Sequence, residues 1–480
     1  MTTEDSRTYD VVVIGAGPVG ENVADRAVAA GLSTVIVESE LVGGECSYWA
    51  CEPSKALLRP ALLRAEASRV PGLNPAVAGP LDTAAVLAHR DRMSADWDDE
   101  GQAQWLKSAG IDLLRGHGRL AGPRRVAVRT PGGDTVLLQA RHAVAVCTGS
   151  RAALPDLPGL AGLRPWTSRE ATSAKEPPGR LVIVGAGVVG TEMATAWQAL
   201  GTQVTLVVRG GALLPRMEPF AGELVAERLR AAGVDLRFDT TVCAALRRGG
   251  PDGDIDVTLS DGSRFTADAL LYATGRAPRT DDIGLETVGL TPGDWLTADD
   301  TLTVTAVPGD WLYAVGDVNN RALFTHQGKY QARIAGAVIA ARAHGTPLDT
   351  RRWSAHTSTA DTAAVPQVVF TDPEIAAVGL TTAEAARTGR HVDVVDYEIG
   401  QVAGAVQYDP GYRGTARVLI DPDRRCVVGA TFAGPGVAEL LHSATIAITT
   451  EAPIDRLWHA VPPFPTISEV WLRLLETYRG

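Results

Sequence analysis

A run of β-branched residues, a glycine-rich turn, an alanine-rich stretch and a second apolar run follow one another twice along this chain. The first copy is DVVVIGAGPVGENVADRAVAAGLSTVIVE, residues 10–38. Val11 to Ile14 predict a strand that leads into Gly15, Gly17 and Gly20. A helix follows, then a second strand ending at Glu38. The second copy is RLVIVGAGVVGTEMATAWQALGTQVTLVVR, residues 180–209, with Gly185, Gly187 and Gly190 in the same places. Two further apolar strands, AVAVCTGS (143–150) and ALLYATG (269–275), run into Thr-Gly turns, and LYAVGDV (312–318) ends in Gly316-Asp317. The stretch from Thr83 to Ser108 reads as largely helical, with charge on one side. PGGD (131–134) and PDGD (251–254) read as hairpin-like turns. The doubled unit is a two-copy domain repeat, and no low-complexity segment accompanies it.

Strand, glycine turn, helix, strand and terminal acid make up the full dinucleotide-binding frame. The glycines let the backbone approach a pyrophosphate at a helix N-terminus, where free N–H groups and the dipole favour an anion. Glu38 is placed to accept from a ribose 2′-hydroxyl. In the second copy Val208 stands at the corresponding position and Arg209 follows. A guanidinium in place of a carboxylate suits a 2′-phosphate, so the second site is expected to prefer NADPH. Arg216 is either a second phosphate contact or a surface arginine.

Composition narrows the class. Of the 480 residues 45% are hydrophobic and 21% charged, as in ordinary globular proteins of two to four domains. A net charge of −11 argues against nucleic acid as the main partner. No membrane span and no secretory signal are expected. Five cysteines, an odd number, do not suggest an extracellular disulfide framework, which points to the cytoplasm.

The segment GGECSYWACEPSK, residues 43–55, places Cys46 and Cys51 five positions apart, with Lys55 four beyond. A metal clip lacks a second CxxC or a nearby histidine to complete a tetrahedral set, and no metal site is expected. Residues five apart on a regular helix have Cα atoms roughly 8–9 Å apart, beyond the ~7 Å that a disulfide tolerates. A bonded pair therefore requires Cys46 to lie off the helix, in the preceding turn. Cys51 and Lys55, at i and i+4, share one helical face, which places a cation near the Cys51 thiolate. Cys147, Cys243 and Cys426 read as buried or incidental.

Together these motifs resemble the pyridine nucleotide-disulfide oxidoreductases, the family of glutathione reductase, dihydrolipoamide dehydrogenase and mercuric reductase. The resemblance runs from the first glycine turn through GGxCxxxxCxPSK, the second glycine turn, ATGRxPxT (273–280) and Gly316-Asp317 to FTDPEIAAVGLT (370–381). It implies an α/β fold with two Rossmann-like dinucleotide-binding domains and an α+β C-terminal dimerisation domain. It implies FAD in the first Rossmann fold, with Asp317 near its ribityl chain, and NAD(P)H in the second. Gly44, Thr148, Gly149 and Gly275 join the expected cofactor-binding residues, as does Lys55. By the same resemblance Cys46 and Cys51 are a redox couple that receives a hydride's two electrons from nicotinamide by way of flavin. Cys51 then faces the flavin and Cys46 the substrate, Lys55 pairs with Glu192, and the enzyme is a homodimer with a shared active site.

One motif departs. The disulfide reductases of the family end in His-Pro-Thr-x-Ser-Glu, whose histidine, from the partner subunit, moves the proton of the substrate-side thiol. Residues 464–469 here read FPTISE, with Phe464 at the histidine position. Mercuric reductases carry a tyrosine there, yet this sequence ends ETYRG without their C-terminal cysteine pair. Glu469 is either a remnant of the acid–base pair or the end of a capping box with Thr466, the favoured reading. His459 is a candidate replacement base, and His442 reads as a helix-face residue. Tyr48 and Trp49 either line a substrate site or pack the redox helix. A thiol of pKa ~8.5 is about one-tenth thiolate at pH 7.5, and losing a positioned acid–base costs ~10²–10⁴ in rate. An acceptor that needs no proton from the enzyme is therefore expected: an unusual disulfide, a thiophilic metal ion or similar.

The expected division is an FAD-binding domain (1–150), an NAD(P)H-binding domain (151–275), a returning central segment (276–353) and an interface domain (354–480). The leading expectation is an FAD-dependent NADPH oxidoreductase that works through Cys46–Cys51. A flavin-only quinone reductase with an uncoupled cysteine pair, and a non-catalytic flavin sensor, are the alternatives.

Overall fold

The computed structural model describes residues 5–157, 159–250 and 253–480. These form two compact units, each assembled from three stretches of sequence. The first unit takes 1–52, 92–152 and 276–362, and the second 53–91, 153–275 and 363–480. Among the described residues no helix is long and apolar enough to cross a membrane.

The first unit is built on a seven-stranded sheet. Its order is Asp112–Arg115, Thr34–Glu38, Asp5–Ile14, Thr135–Val146, Arg125–Arg129 and His117–Leu120, and Leu312–Ala314 also pairs with Thr135–Val146. The central pairs are parallel, with Val12 opposite Val35 on one side and Val144 on the other. Val11, Val12 and Val13 are fully buried because a parallel sheet covered on both faces turns successive side chains into two different cores. Val11 and Val13 pack with Ala332, Ala335 and Ile339, whereas Val12 and Ile14 pack with Val126, Leu138 and Trp311. The helix Thr325–Ala343 lies against Pro18–Ala29. A Cβ on Gly336 would meet the Arg26 Cβ at 2.4 Å, so glycine sets that approach.

The second unit holds a four-stranded parallel sheet in the order Asp235–Arg237, Gln203–Val207, Arg180–Val184 and Ala269–Tyr272. An antiparallel three-stranded sheet follows within the same stretch of sequence. The C-terminal part is a five-stranded antiparallel sheet, in the order Gln367–Val369, Glu374–Gly379, Cys426–Gly434, Thr415–Asp421 and Asp393–Glu398. The helix Val470–Arg479 packs on it, with Trp471 edge-on to Phe432. This is the expected class: α/β with two Rossmann-like sheets and an α+β C-terminal portion.

The stretch from Thr83 to Ser108 is two helices, Thr83–Met93 and Glu100–Ser108. They are separated at Ala95, Asp96 and Trp97, all with positive φ. The turn at 131–134 closes with Gly133 N–H on Thr130 O at 3.0 Å. Pro251 and Asp252 of the second expected turn lie outside the described residues.

Candidate functional site

Gly15 ends its strand with a φ of +102°, and a Cβ there would lie 2.5 Å from the Cys147 carbonyl oxygen. A Cβ on Gly20 would lie 1.9 Å from the Gly15 oxygen, so only glycine lets the helix Pro18–Ala29 close on the strand. Gly17 caps that helix without a side-chain hydrogen bond. A Cβ on Gly17 would meet nothing nearer than Gly44 Cα at 3.9 Å, which leaves room for an anion at the helix start. Glu38 accepts from the Ala16 and Glu40 amides, each at 2.7 Å, and burial pushes its carboxyl above the usual range. The Thr148 hydroxyl is buried with no hydrogen-bond partner among the described residues, and Gly149 turns the chain with a φ of +71°. An anion-ready helix start, an acid at the strand end and an orphaned hydroxyl fit a bound dinucleotide.

The neighbouring loop carries the cysteines. Cys46 sits in the short helix Gly44–Tyr48, and Cys51 opens the separate helix Cys51–Arg69. The break at 49–50 is what lets the thiols meet off a common helix. A hydrogen bond with Cys51, then burial, pushes the Cys46 thiol well up. Thr325, the first residue of its own helix, places its hydroxyl 3.3 Å from Cys51 Sγ. Tyr48 is buried and donates to Val42 O at 3.0 Å, so it packs the loop. Glu45, beside Cys46, pairs with Arg279 at 2.6 Å, and Arg279 also reaches Ser150 O at 3.2 Å. The Ser150 hydroxyl donates to Asp317 at 2.5 Å and accepts from Arg276 at 2.5 Å. Burial pushes the Asp317 carboxyl up, against the pull of Ser150 and Arg276. Glu21, in the first turn of Pro18–Ala29, is pushed up to about 7 by burial and holds Oε1 without a partner among the described residues.

In the second unit the same glycine geometry returns. A Cβ on Gly185 would lie 2.3 Å from Ala273 O and one on Gly190 2.0 Å from Gly185 O, while Gly187 faces open space. Gly275 follows the Ala269–Tyr272 strand with a φ of +152°. Val208 is buried; Arg209 and Arg216 are exposed. Neither arginine has a hydrogen bond or ion pair among the described residues. Lys55 Nζ is 2.8 Å from Glu192 Oε2 and 4.9 Å from the centre of the Phe370 ring. Glu192 Oε1 accepts from the Phe370 amide at 3.0 Å, so both carboxylate oxygens are engaged.

At the C-terminal motif Phe464 is 75% exposed. The capping box expected of Thr466 and Glu469 does not form. The Thr466 hydroxyl donates to Pro463 O at 2.6 Å, and Glu469 accepts from Arg473, one turn on, at 2.5 Å. The local carbonyl and the i+4 guanidinium outcompete the reciprocal cap. Glu469 is nonetheless buried, and its Oε2 has no partner among the described residues. His459 and His442 are both exposed.

A family profile described as pyridine nucleotide-disulphide oxidoreductase matches residues 9–345, and the dimerisation domain of the same family matches residues 365–474. The chain belongs to this family. The oxidoreductase is 31% identical to the dihydrolipoyl dehydrogenase of Haloferax volcanii, over 98% of this chain and 96% of that protein. It is 30% identical to the mercuric reductase of Acidithiobacillus ferrooxidans, over 98% of this chain and 82% of that protein. The structure of the HOCl-induced flavoprotein disulfide reductase RclA from Escherichia coli superposes with a TM-score of 0.82 at 23% identity. That match covers 98% of this chain and 99% of the other. LpdA from Mycobacterium tuberculosis superposes equally well, at 0.82 and 23%, over 99% and 100%.

The protein is thus an FAD-dependent enzyme of the redox-active-disulfide type. Bound FAD supplies a two-electron relay between a nicotinamide and a disulfide. The glycine turns, both acids and the cysteine pair stand out in the sequence. Thr325, Glu45, Ser150, Arg276, Arg279 and Glu21 do not, because only folding brings most of them together: Thr325 is 274 positions from Cys51 and Arg279 is 234 from Glu45.

Proposed function

We propose that this oxidoreductase takes its electrons from NADPH and passes them through a Cys46–Cys51 disulfide to a small acceptor. The observation that carries this reading is the contact between the two thiols in separate helical turns. In the first half-reaction NADPH and one proton reduce the disulfide to two thiols and leave NADP⁺. In the second, the dithiol gives two electrons and two protons to the acceptor or solution and closes again. Gly15, Gly17, Gly20, Gly44, Glu38, Thr148, Gly149 and Asp317 are the residues proposed to hold FAD. Gly185, Gly187, Gly190 and Gly275 would hold the nicotinamide nucleotide, with Arg209 and Arg216 offering two uncommitted cations to its 2′-phosphate. Lys55 and Glu192 form the charged pair assigned to the reductive half-reaction.

Phe464 narrows the acceptor. A phenyl ring holds no proton, so the acceptor is of the kind that takes electrons from thiolates unaided: an activated disulfide or a thiophilic metal ion. The similarity to a protein named mercuric reductase supports the second class. The proposed enzyme is a cytoplasmic homodimer divided as 1–150 with 276–353 for FAD, 151–275 for NADPH and 354–480 for the interface.

An anaerobic titration of the FAD-loaded enzyme with NADPH, and with NADH in parallel, tests the reading. About two equivalents of NADPH per flavin, with two new titratable thiols per chain, are expected, and Cys46→Ser reduces the uptake to about one. Uptake of one equivalent by the unmodified enzyme, with no new thiols, overturns the couple in favour of a flavin-only reductase. Equal apparent affinity for NADH overturns the NADPH assignment.

A further inference from the structure

The loop that carries Cys46 is held from outside at both ends. Val42, where it begins, is fully buried and donates its amide to Asp99 Oδ2 at 2.6 Å. At the other end Tyr48 closes the short helix Gly44–Tyr48, and its carbonyl accepts from the Trp97 indole Nε1 at 3.1 Å. That carbonyl is one of those a helix end leaves without an intrahelical partner. A third link runs through the Tyr48 side chain. Gln102 Nε2 donates to its hydroxyl at 3.3 Å, and the hydroxyl donates to Val42 O at 3.0 Å. A Cβ on Gly43 would lie 2.3 Å from Gln102 Oε1, so the loop rests directly on this segment. Cys46 sits between the two held ends.

The segment that supplies these groups gives up local stability to do so. Ala95, Asp96 and Trp97 have φ of 47°, 51° and 60°, three successive non-glycine residues in the left-handed region. L-residues avoid that region, and backbone held there clusters where a site needs side chains aimed. Asp99 is the N-cap of the helix Glu100–Ser108, where an aspartate ordinarily accepts from the amides of the first turn. It makes no such bond among the described residues. Its oxygens go instead to the Val42 amide and to the Arg115 guanidinium, the latter at 2.6 and 2.9 Å. Burial works to raise its carboxyl, but Arg115 and the Val42 amide hold it below the usual range, so Val42 meets a full negative charge. The strained turn and the forgone cap share one result: they aim Trp97 and Asp99 at the loop of Cys46.

We propose that Trp97 and Asp99 are positioning residues of the cysteine couple. By fixing both ends of residues 42–48 they keep Cys46 within bonding reach of Cys51, and so set the couple's equilibrium toward the disulfide. This inference rests on the cysteine couple proposed above. Neither residue exchanges a proton or an electron. Closing the couple takes two electrons and two protons from the thiols and forms one S–S bond, and the oxidant receives both. What the held loop changes is the local concentration of one thiol at the other. A loop fixed at both ends presents Cys46 to Cys51 for more of the time than a loop free at one end. The hydrogen bond between the two thiols is the contact it preserves.

The test is the equilibrium of the Cys46–Cys51 bond in the FAD-loaded enzyme against mixtures of reduced and oxidised dithiothreitol, the oxidised form being the oxidant. The bonded fraction is read by alkylation and the mass of the peptide that carries both cysteines, so that Cys147, Cys243 and Cys426 do not contribute. Trp97→Phe keeps an aromatic ring and loses the indole donor, and Asp99→Ala loses the acceptor. Each is expected to be half-reduced at a ratio of reduced to oxidised dithiothreitol about fivefold below the parent's, a potential about 20 mV higher. Trp105→Phe, which alters an exposed indole of the helix Glu100–Ser108, is expected to keep the parent's ratio. Bound FAD and the melting temperature are measured for each variant. If Trp97→Phe and Asp99→Ala melt earlier but are half-reduced at the parent's ratio, the contacts only stabilise the fold and the proposal is overturned. An equal shift in Trp105→Phe overturns it too. The two readings fail separately. Shifted ratios in an enzyme that takes up one NADPH equivalent keep the positioning role and overturn the couple as electron relay, whereas unmoved ratios in an enzyme that takes up two do the reverse.

Discussion

Glu21 shows what one buried carboxyl contributes beside an anion site. Its burial, opposed by Lys329 and reinforced by Glu38, raises it from the ordinary 4.5 to about 7. Between these values the folded protein keeps a proton that the unfolded chain has released. The contribution of Glu21 is therefore fully present below pH 4.5 and is lost as pH rises through 7. The loss is on the order of 3 kcal/mol. Thermal melting of the FAD-loaded enzyme at pH 5 and pH 7.5 is expected to show the decline, and Glu21→Gln to flatten it. An unchanged slope in the glutamine variant would sink the assignment. Nothing in GPVGENVAD marks Glu21 as unusual, because an acid in a helix's first turn reads as favourable dipole placement. Its environment comes from Glu38 and Lys329, one at the end of another strand and the other in another helix. Glu469 teaches the converse. Its spacing from Thr466 satisfies a local rule, yet Pro463 O and Arg473 take the two side chains instead.

At the scale of elements, each strand–turn–helix junction is fixed by contacts that exclude a side chain. Gly190→Ala would set a Cβ 2.0 Å from Gly185 O, and backbone cannot yield that far without drawing the helix Val188–Ala199 off its strand. The expected outcome is a rise of about tenfold or more in the Michaelis constant for the nicotinamide nucleotide, about 1.4 kcal/mol of binding. Bound FAD should stay at one per chain, since Gly15, Gly17 and Gly20 are untouched. Gly20→Ala should reverse the pattern, and flavin content measured by absorbance separates the two. Variants that lose both nucleotides together would contradict this independence. These junctions are legible in the sequence because glycine is the one residue that can sit where the geometry needs it. The division of GGECSYWACEPSK into two helical turns is legible only in part: spacing requires Cys46 to leave the helix, but it does not say that Cys46 enters a short helix of its own.

For the whole molecule, the family's dimerisation domain covers 365–474, and that stretch carries several large apolar side chains in the open. Val461 is 85% exposed, Phe464 75% and Ile446 49%, with Val406 and Tyr408 also exposed. Side chains of this kind on one domain are costly to leave in water and suited to a partner surface. Light scattering after size exclusion is expected to read twice the 50.4 kDa of one chain. Val461→Glu combined with Phe464→Glu should shift that mass toward the single chain. A monomeric unmodified enzyme would refute the expectation. The assembly of the first unit from three separate stretches of sequence also has a consequence in time. The strand Thr135–Val146 finds one of its parallel partners only in Leu312–Ala314. That partner is made roughly 165 residues later, about 8–30 s at the pace of a ribosome. Throughout that interval the end of the strand, Val144 to Val146, is an open edge on a nascent sheet, the kind of edge on which other chains can pair. The yield of this flavoenzyme in a cell is therefore expected to depend on what shields that edge while residues 147–311 are being synthesised.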